Sequence, residues 1–124
     1  MKVGIVGLGL IGGSIGLKLK DLYNNIIIYG YDIDDNSVNY CLKNKIIDLK
    51  FDEEFIPELD FIFLAIPVES IKNQLSHYLN KTSDDTLIID LGSTKFQICN
   101  SVDNHQNRKN YLAAHPIAGT EFSG

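Results

Sequence analysis

Three glycines near the start of the chain have the spacing of a phosphate-binding turn. Gly7, Gly9 and Gly12 form the pattern G-x-G-x-x-G directly after a short apolar run. Between a strand and a helix, the first glycine permits a tight bend, the second lets backbone approach a pyrophosphate, and the third allows close helix–strand packing. The helix N-terminus then faces the anion. Glycine serves any tight bend, but in this context the pattern predicts a dinucleotide site formed by Gly7, Leu8, Gly9, Leu10, Ile11 and Gly12.

A carboxylate stands where the second predicted strand ends. Asp32 follows the glycine turn by about 20 residues, the separation at which an acidic side chain accepts hydrogen bonds from the ribose hydroxyls of an adenosine. The same carboxylate would repel the 2′-phosphate of NADP, so the pattern favours NAD as the cofactor. The alternative is that Asp32, together with Asp34 and Asp35, only caps the next helix and solvates a loop.

Two segments follow later strands, on the side of an open α/β sheet where ligands bind. Ile66, Pro67 and Val68 form a turn that proline stiffens, and we expect it to lie along the adenosine side of the cofactor, although such a turn is also an ordinary strand ending. Ser93 can present its hydroxyl to the nicotinamide end of the cleft or to a substrate. It can also cap the following helix, and the two roles are compatible.

His115 follows the last predicted strand and precedes a proline, which restricts the direction of its side chain. Histidine titrates near neutral pH. A hydride acceptor such as NAD oxidises an alcohol only if the hydroxyl proton also leaves, so a neutral imidazole facing that hydroxyl supplies the required base. We therefore predict His115 as the base, whereas His77 and His105 fall in or near amphipathic helices and are interpreted as surface residues.

Alternating apolar runs and amphipathic stretches predict the elements that position these residues. Short runs rich in β-forming residues predict buried parallel strands, and the alternation predicts one α/β, Rossmann-type, doubly wound domain over residues 1–124 in strand order 3-2-1-4-5-6. On the first helix, Ile11, Ile15, Leu19 and Leu22 form a stripe expected to pack on the sheet. The predicted strands are 2–6, 26–31, 49–51, 61–65, 86–90 and 111–114, and the predicted helices are 11–22, 35–43, 69–79 and 95–107.

Composition restricts the partners. Sixteen acidic residues against eleven basic ones give a net charge of −5, which provides no basic field for a nucleic-acid backbone. The first apolar run is too short for a signal sequence or a membrane span, so we expect a cytoplasmic protein without a membrane partner. Cys41 and Cys99 have no metal-ligand spacing and are interpreted as reduced structural thiols, and no metal site is expected.

Four segments and one carboxylate occur in an order that resembles a known family. They are GLGLIGGSIGLKLK, Asp32, AIPV, DLGSTK and HPIAGTEFSG, which together span essentially the whole chain. They look like the nucleotide-binding half of prephenate dehydrogenase, the oxidoreductase of tyrosine biosynthesis. The resemblance implies NAD-dependent oxidative decarboxylation of prephenate to 4-hydroxyphenylpyruvate, with His115 accepting the hydroxyl proton. It implies that Ser93 hydrogen-bonds to His115 or to the substrate and fixes their orientation. It also implies that Thr120 and Glu121 line the substrate site.

The chain departs from the family pattern in two respects. Phe122 stands where the family commonly carries lysine, and the sequence ends where the family continues into a helical domain that supplies a carboxylate-binding arginine and a homodimer interface. Arg108 is predicted on the face opposite the ligand crevice and is a poor substitute. We therefore expect residues 1–124 alone to bind NAD with weak or no turnover. The alternatives are arogenate as substrate, a dehydrogenase of the 3-hydroxyacid or 6-phosphogluconate type, and a non-catalytic NAD(H)-sensing module.

Overall fold

The computed structural model describes residues 1–92 and 95–114. In this part of the chain, six parallel strands form one sheet in the order β3-β2-β1-β4-β5-β6, flanked by four α-helices. The predicted α/β, doubly wound fold and its strand order 3-2-1-4-5-6 are confirmed. No helix among these residues is long and apolar enough to cross a membrane. The elements are β1 Lys2–Val6, α1 Leu10–Leu22, β2 Ile27–Tyr31, α2 Asp35–Lys43, β3 Leu49–Lys50, β4 Phe61–Leu64, α3 Val68–Leu79, β5 Leu87–Asp90, α4 Phe96–Val102 and β6 Tyr111–Ala113, with 3₁₀ turns at Glu53–Glu58 and Arg108–Asn110.

The sheet separates two apolar layers, because successive side chains of a strand point to opposite faces. On β1, Val3 and Ile5 are fully buried in the layer that α1 and α2 cover. On β4, Ile62 and Leu64 are fully buried in the layer that α3 and α4 cover. Helices on both faces explain why the strands are short continuous apolar runs.

The strand register brings the carboxyl ends of five strands to one level. Val6 of β1 pairs with Tyr31 of β2 and with Leu64 of β4. Leu64 pairs in turn with Asp90 of β5, and Asp90 pairs with Ala113 of β6. The residues that follow these five strands therefore lie along one edge of the sheet, which we call the carboxyl edge.

Helix α1 contacts the sheet through glycines, and half of its predicted apolar stripe is wrong. Ile11 and Leu22 are 45% and 58% exposed, whereas Gly12 and Gly16 are buried. The other two residues of the stripe are partly buried against the core. A Cβ at Gly16 would lie 2.8 Å from the side chain of Ile46. The helix lies so close to its neighbours that only glycine fits at the contact, which turns Ile11 and Leu22 outward.

Helix α4 ends at Val102, before the predicted end at Asn107. Beyond it, Nε2 of His105 lies 2.8 Å from the side-chain oxygen of Asn80. The side-chain amide of Asn107 donates a 2.8 Å hydrogen bond to the carbonyl of Leu79. These bonds to the end of α3 replace the last helical turns, so the predicted helix over 95–107 is too long.

Candidate functional site

A cleft of about 390 Å³ opens at the carboxyl edge, beside the ends of β1, β2 and β4. The strand order reverses here, because β1 continues to β2 on one side while β4 continues to β5 on the other. Such a switch point is where ligands bind in open α/β sheets. Five of the residues predicted from the sequence line the cleft together, namely Gly7, Gly9, Asp32, Ile66 and Pro67.

The remaining predicted cofactor residues are not among those that line this cleft. Leu8 is 6% exposed and belongs to the core layer beneath α1 and α2. Leu10 and Ile11 form the first turn of α1, and Leu10 is 91% exposed. Val68 is the first residue of α3 and packs against the opposite core layer.

The glycines of the turn are required for different reasons. Gly7 has a φ of 101°, and a Cβ there would lie 2.2 Å from the carbonyl oxygen of Ala65. A Cβ at Gly12 would lie 1.7 Å from the carbonyl oxygen of Gly7. At Gly9, in contrast, a Cβ would have nothing within 4 Å. Packing within the protein therefore explains the first and third glycines, whereas the second leaves room for a group from outside.

Helix α1 begins beside the cleft without a side-chain cap. Gly9 is its N-cap residue, and the first turn carries no acidic residue. The first N–H groups of a helix lack intrahelical partners and carry partial positive charge. The carboxyl edge thus presents donors and a positive dipole end at the glycine turn, which suits a pyrophosphate.

Both carboxylate oxygens of Asp32 accept backbone hydrogen bonds. The N–H of Leu8 donates to Oδ2 at 2.7 Å and the N–H of Asp34 donates to Oδ1 at 2.9 Å. Asp34 itself is the N-cap of α2, where its side chain accepts a 2.9 Å hydrogen bond from the N–H of Asn36. Capping is therefore the role of Asp34, and the carboxylate of Asp32 is held in the wall of the cleft beside the glycine turn.

Besides the strand-end residues Val6 and Ala65, four further residues that were not predicted as site residues line the cleft. Ile33, directly after Asp32, is 91% exposed, and Tyr31 is 46% exposed. Ser70 and Gln74, one turn apart on α3, form the opposite wall. The sequence offered one signal for these residues, namely an apolar residue, Ile33, directly after the carboxylate that ends β2. For Ser70 and Gln74 it offered none, because nothing in the local sequence distinguishes them from residues on an ordinary exposed helix face.

A second polar cluster, also missed in the sequence, surrounds the carboxylate of Asp90 at the carboxyl end of β5. The side chain of Asp90 is 0% exposed. Its Oδ1 accepts hydrogen bonds from Nζ of Lys95 at 2.6 Å and from the N–H of Gly92 at 2.7 Å. The hydroxyl of Tyr111 donates to Oδ2. Burial, and then the hydrogen bond and negative charge of Asp90, raise the pKa of Tyr111 far above its usual range, so Tyr111 is a neutral donor.

The predicted chemical residues lie outside the described residues. Ser93 follows Gly92 in the sequence, and His115 follows Ala114, whose N–H donates a 3.0 Å hydrogen bond to the carbonyl of Asp90. Thr120 and Glu121 lie outside the described residues as well. Arg108 begins the turn at the amino end of β6, where its guanidinium donates a 3.0 Å bond to the carbonyl oxygen of Tyr111, away from the carboxyl edge.

Comparison with known proteins identifies similar chains. Residues 15–124 match the family model described as prephenate dehydrogenase, nucleotide-binding domain. The chain is 34% identical over 126 residues to prephenate dehydrogenase of Bacillus subtilis (strain 168), an alignment covering 97% of this chain and 33% of the relative. The chain spans about a third to two fifths of the length of the curated relatives it matches.

Solved structures are similar over the same region. Prephenate dehydrogenase from Aquifex aeolicus has a TM-score of 0.82 and 34% identity, with 96% of this chain and 44% of that chain covered. The A. aeolicus enzyme in complex with hydroxyphenyl propionate and NAD+ has a TM-score of 0.77 and 30% identity, with 98% of this chain and 43% of that chain covered.

Proposed function

The chain belongs to the prephenate dehydrogenase family as its nucleotide-binding domain, and from that premise we propose that it binds NAD in the cleft at the carboxyl edge. The observation that carries this proposal is the pairing of open space at Gly9 with the carboxylate of Asp32 in one cleft. The N-terminus of α1 suits the pyrophosphate, and the free lone pairs of Asp32 suit the hydroxyls of the adenosine ribose. The negative charge of Asp32 disfavours binding of NADP, because it would repel the 2′-phosphate.

We further propose that the full-length protein oxidises and decarboxylates prephenate in tyrosine biosynthesis. The family match supports this over a dehydrogenase of the 3-hydroxyacid or 6-phosphogluconate type. A relative solved with hydroxyphenyl propionate and NAD+ supports a small aromatic acid as the class of ligand. The proposal includes a cytoplasmic enzyme that forms a homodimer, which the mass of the full-length protein in solution would test.

In this proposal His115 is the base. NAD, when bound, accepts a hydride from the ring carbon that bears the hydroxyl. His115 accepts the proton of that hydroxyl, the ring carboxylate leaves as CO2 and the ring becomes aromatic. His115 then returns the proton to the phenolate oxygen, which gives 4-hydroxyphenylpyruvate. Ser93 hydrogen-bonds to His115 or to the substrate and fixes their orientation, while Thr120 and Glu121 line the substrate site. A positioned base contributes about 10²–10⁴-fold to the rate.

The test follows NADH formation by the full-length protein with prephenate and, separately, with arogenate. We expect NADH and 4-hydroxyphenylpyruvate from prephenate, and a preference for arogenate would change the substrate but keep the reaction class. His115→Asn should lower kcat by about 10²–10⁴-fold with NAD binding retained. His77→Asn, at an exposed position on α3, is the matched control and should have normal kcat.

Binding of NAD or NADH without any NADH formation would identify the chain as a sensing module. That function predicts NAD or NADH binding by calorimetry, no NADH formation with either substrate, and no effect of His115→Asn. Absence of NAD binding by residues 1–124 would contradict both the enzyme and the sensor.

A further inference from the structure

Asp90 joins the two segments that lead to the proposed chemical residues. Its side chain holds Gly92 and Lys95, which flank Ser93 and Thr94 in the sequence. Its backbone carbonyl accepts hydrogen bonds from the N–H of Ala114 at 3.0 Å and from Nζ of Lys95 at 3.2 Å. One residue therefore fixes both sides of Ser93 and the residue immediately before His115.

Core packing alone does not explain a carboxylate at this position. Leu64 of β4 is the register partner of Asp90, and it is fully buried in the apolar layer that α3 and α4 cover. An apolar side chain is thus accommodated at the same level of the sheet on the adjacent strand. Burying a charge is costly, and apolar residues of similar volume often replace buried ion pairs without loss of stability. The carboxylate is better explained by what it holds in place.

The donors of Asp90 come from three separate places along the chain. The N–H of Gly92 belongs to the segment after β5, Nζ of Lys95 comes from the N-cap of α4, and the hydroxyl of Tyr111 comes from the first residue of β6. Charge-assisted hydrogen bonds are shorter and stronger than neutral ones. Together they hold the carboxyl end of β5, the first residue of β6 and the start of α4 in one arrangement.

We propose that Asp90 is a positioning residue that sets Ser93 and His115 relative to each other for proton removal from the substrate. The role rests on the proposed function and deepens it. Asp90 is fully buried and touches neither substrate nor cofactor in this role; it acts through the segments that carry Ser93 and His115. Proton transfer needs a donor–acceptor separation of about 2.6–3.2 Å, so small displacements of these segments reduce the rate.

The experiment compares Asp90→Asn with wild type in the full-length protein, alone and combined with Ser93→Ala. A positioning role predicts a tenfold or greater loss of kcat for Asp90→Asn, with the Kd for NAD changed by less than about threefold. In the Ser93→Ala background, Asp90→Asn should change kcat by less than about threefold, because one of the two groups whose relative position Asp90 sets is already gone. A purely structural role would give the same loss in both backgrounds.

Two further variants complete the test. Lys95→Met keeps the Asp90 carboxylate but removes its ammonium partner, and should show the same loss and the same dependence on Ser93, even if Asp90→Asn does not fold. Asp60→Asn is the matched control, because Asp60 accepts a 2.9 Å hydrogen bond from the N–H of Lys2 at the opposite edge of the sheet. It should have normal kcat.

The outcomes separate the two proposals. If wild type forms NADH and both Asp90→Asn and Lys95→Met keep kcat within threefold of wild type, the positioning role is overturned and the proposed function stands. Equal losses in the wild-type and Ser93→Ala backgrounds overturn it too. A wild-type protein that forms no NADH with prephenate or arogenate overturns the proposed function, and the positioning role with it.

Discussion

The backbone N–H of Leu8 donates a 2.7 Å hydrogen bond to Oδ2 of Asp32, which ties the middle of the glycine turn to the end of β2. The bond joins residues 24 positions apart in the chain. It holds the carboxylate proposed to bind ribose at a set position relative to the turn proposed to bind pyrophosphate. The two segments proposed to recognise the cofactor are therefore held together by a hydrogen bond within the protein.

The first prediction concerns the choice between NAD and NADP. Asp32→Asn removes the negative charge that opposes a 2′-phosphate, so the ratio of NAD to NADP affinity should fall by tenfold or more, about 1.4 kcal/mol. Calorimetric titration with both cofactors measures the ratio. Asp34→Asn is the matched control, because asparagine is an equally good N-cap and the charge removed lies two residues away. An unchanged ratio in Asp32→Asn would remove this role for Asp32.

The second prediction compares alanine at two glycines at the start of α1: at Gly9 the added Cβ would occupy space proposed for the cofactor, and at Gly13 it would affect only the stability of the helix. Gly9→Ala should change the free energy of unfolding by less than about 1 kcal/mol, because Cβ meets no protein atom, but should weaken NAD binding at least tenfold. Gly13→Ala should leave the affinity unchanged and stabilise the fold by roughly 0.5–1 kcal/mol, since its nearest contact would be at 3.9 Å. Urea unfolding and calorimetry measure the two quantities. Tight NAD binding by Gly9→Ala would show that the cofactor does not approach the turn there.

The third prediction concerns Ile33, which lines the cleft while 91% exposed. If the adenosine end of the cofactor covers this side chain, Ile33→Ser should weaken NAD binding by about tenfold, because burying an isoleucine side chain contributes roughly 1.5–3 kcal/mol. The melting temperature should not change. Leu22→Ser, at the far end of α1 and 58% exposed, is the control for loss of an exposed apolar side chain. Equal affinities for the two variants would contradict the prediction.

The fourth prediction is a loss of stability at alkaline pH caused by Tyr78. Burial, followed by the negative charge of Glu53 and the neighbouring Tyr31, raises the pKa of Tyr78 to about 12, against about 10 in the unfolded chain. Because the folded state keeps the proton, this contribution to stability is complete below pH 10. It is lost at roughly 1.4 kcal/mol per pH unit as the pH rises from 10 to 12.

The measurement is urea unfolding of wild type and Tyr78→Phe at pH 9 and pH 11. The decrease in the free energy of unfolding between these values should be smaller in Tyr78→Phe by roughly 1.4 kcal/mol. Tyr40→Phe, at a position that is 62% exposed, is the control and should behave like wild type. The same decrease in all three proteins would show that Tyr78 does not contribute.

The strand order and most element bounds could be predicted because they follow from local patterns and general rules. Short apolar runs bounded by turns indicate buried strands, and right-handed crossovers restrict their order. Where prediction failed, distant partners were responsible. Helix α4 stops at Val102 because His105 and Asn107 bond to the end of α3, and α1 turns Ile11 outward because a glycine packs in its place. The partners of His105 and Asn107 lie 25 and 28 residues away along the chain, and Gly16 packs against the distant Ile46.

For the site, the sequence by itself determined the glycine turn, the carboxylate at the end of β2 and the family to which these residues belong. Only the tertiary structure decided that Asp34 caps α2 while Asp32 faces the cleft, and that the buried Asp90 joins β5 to β6. The reason is physical. Residue types and short spacings record local backbone requirements, whereas hydrogen bonds between segments far apart in the chain exist only once the sheet has brought the strand ends together.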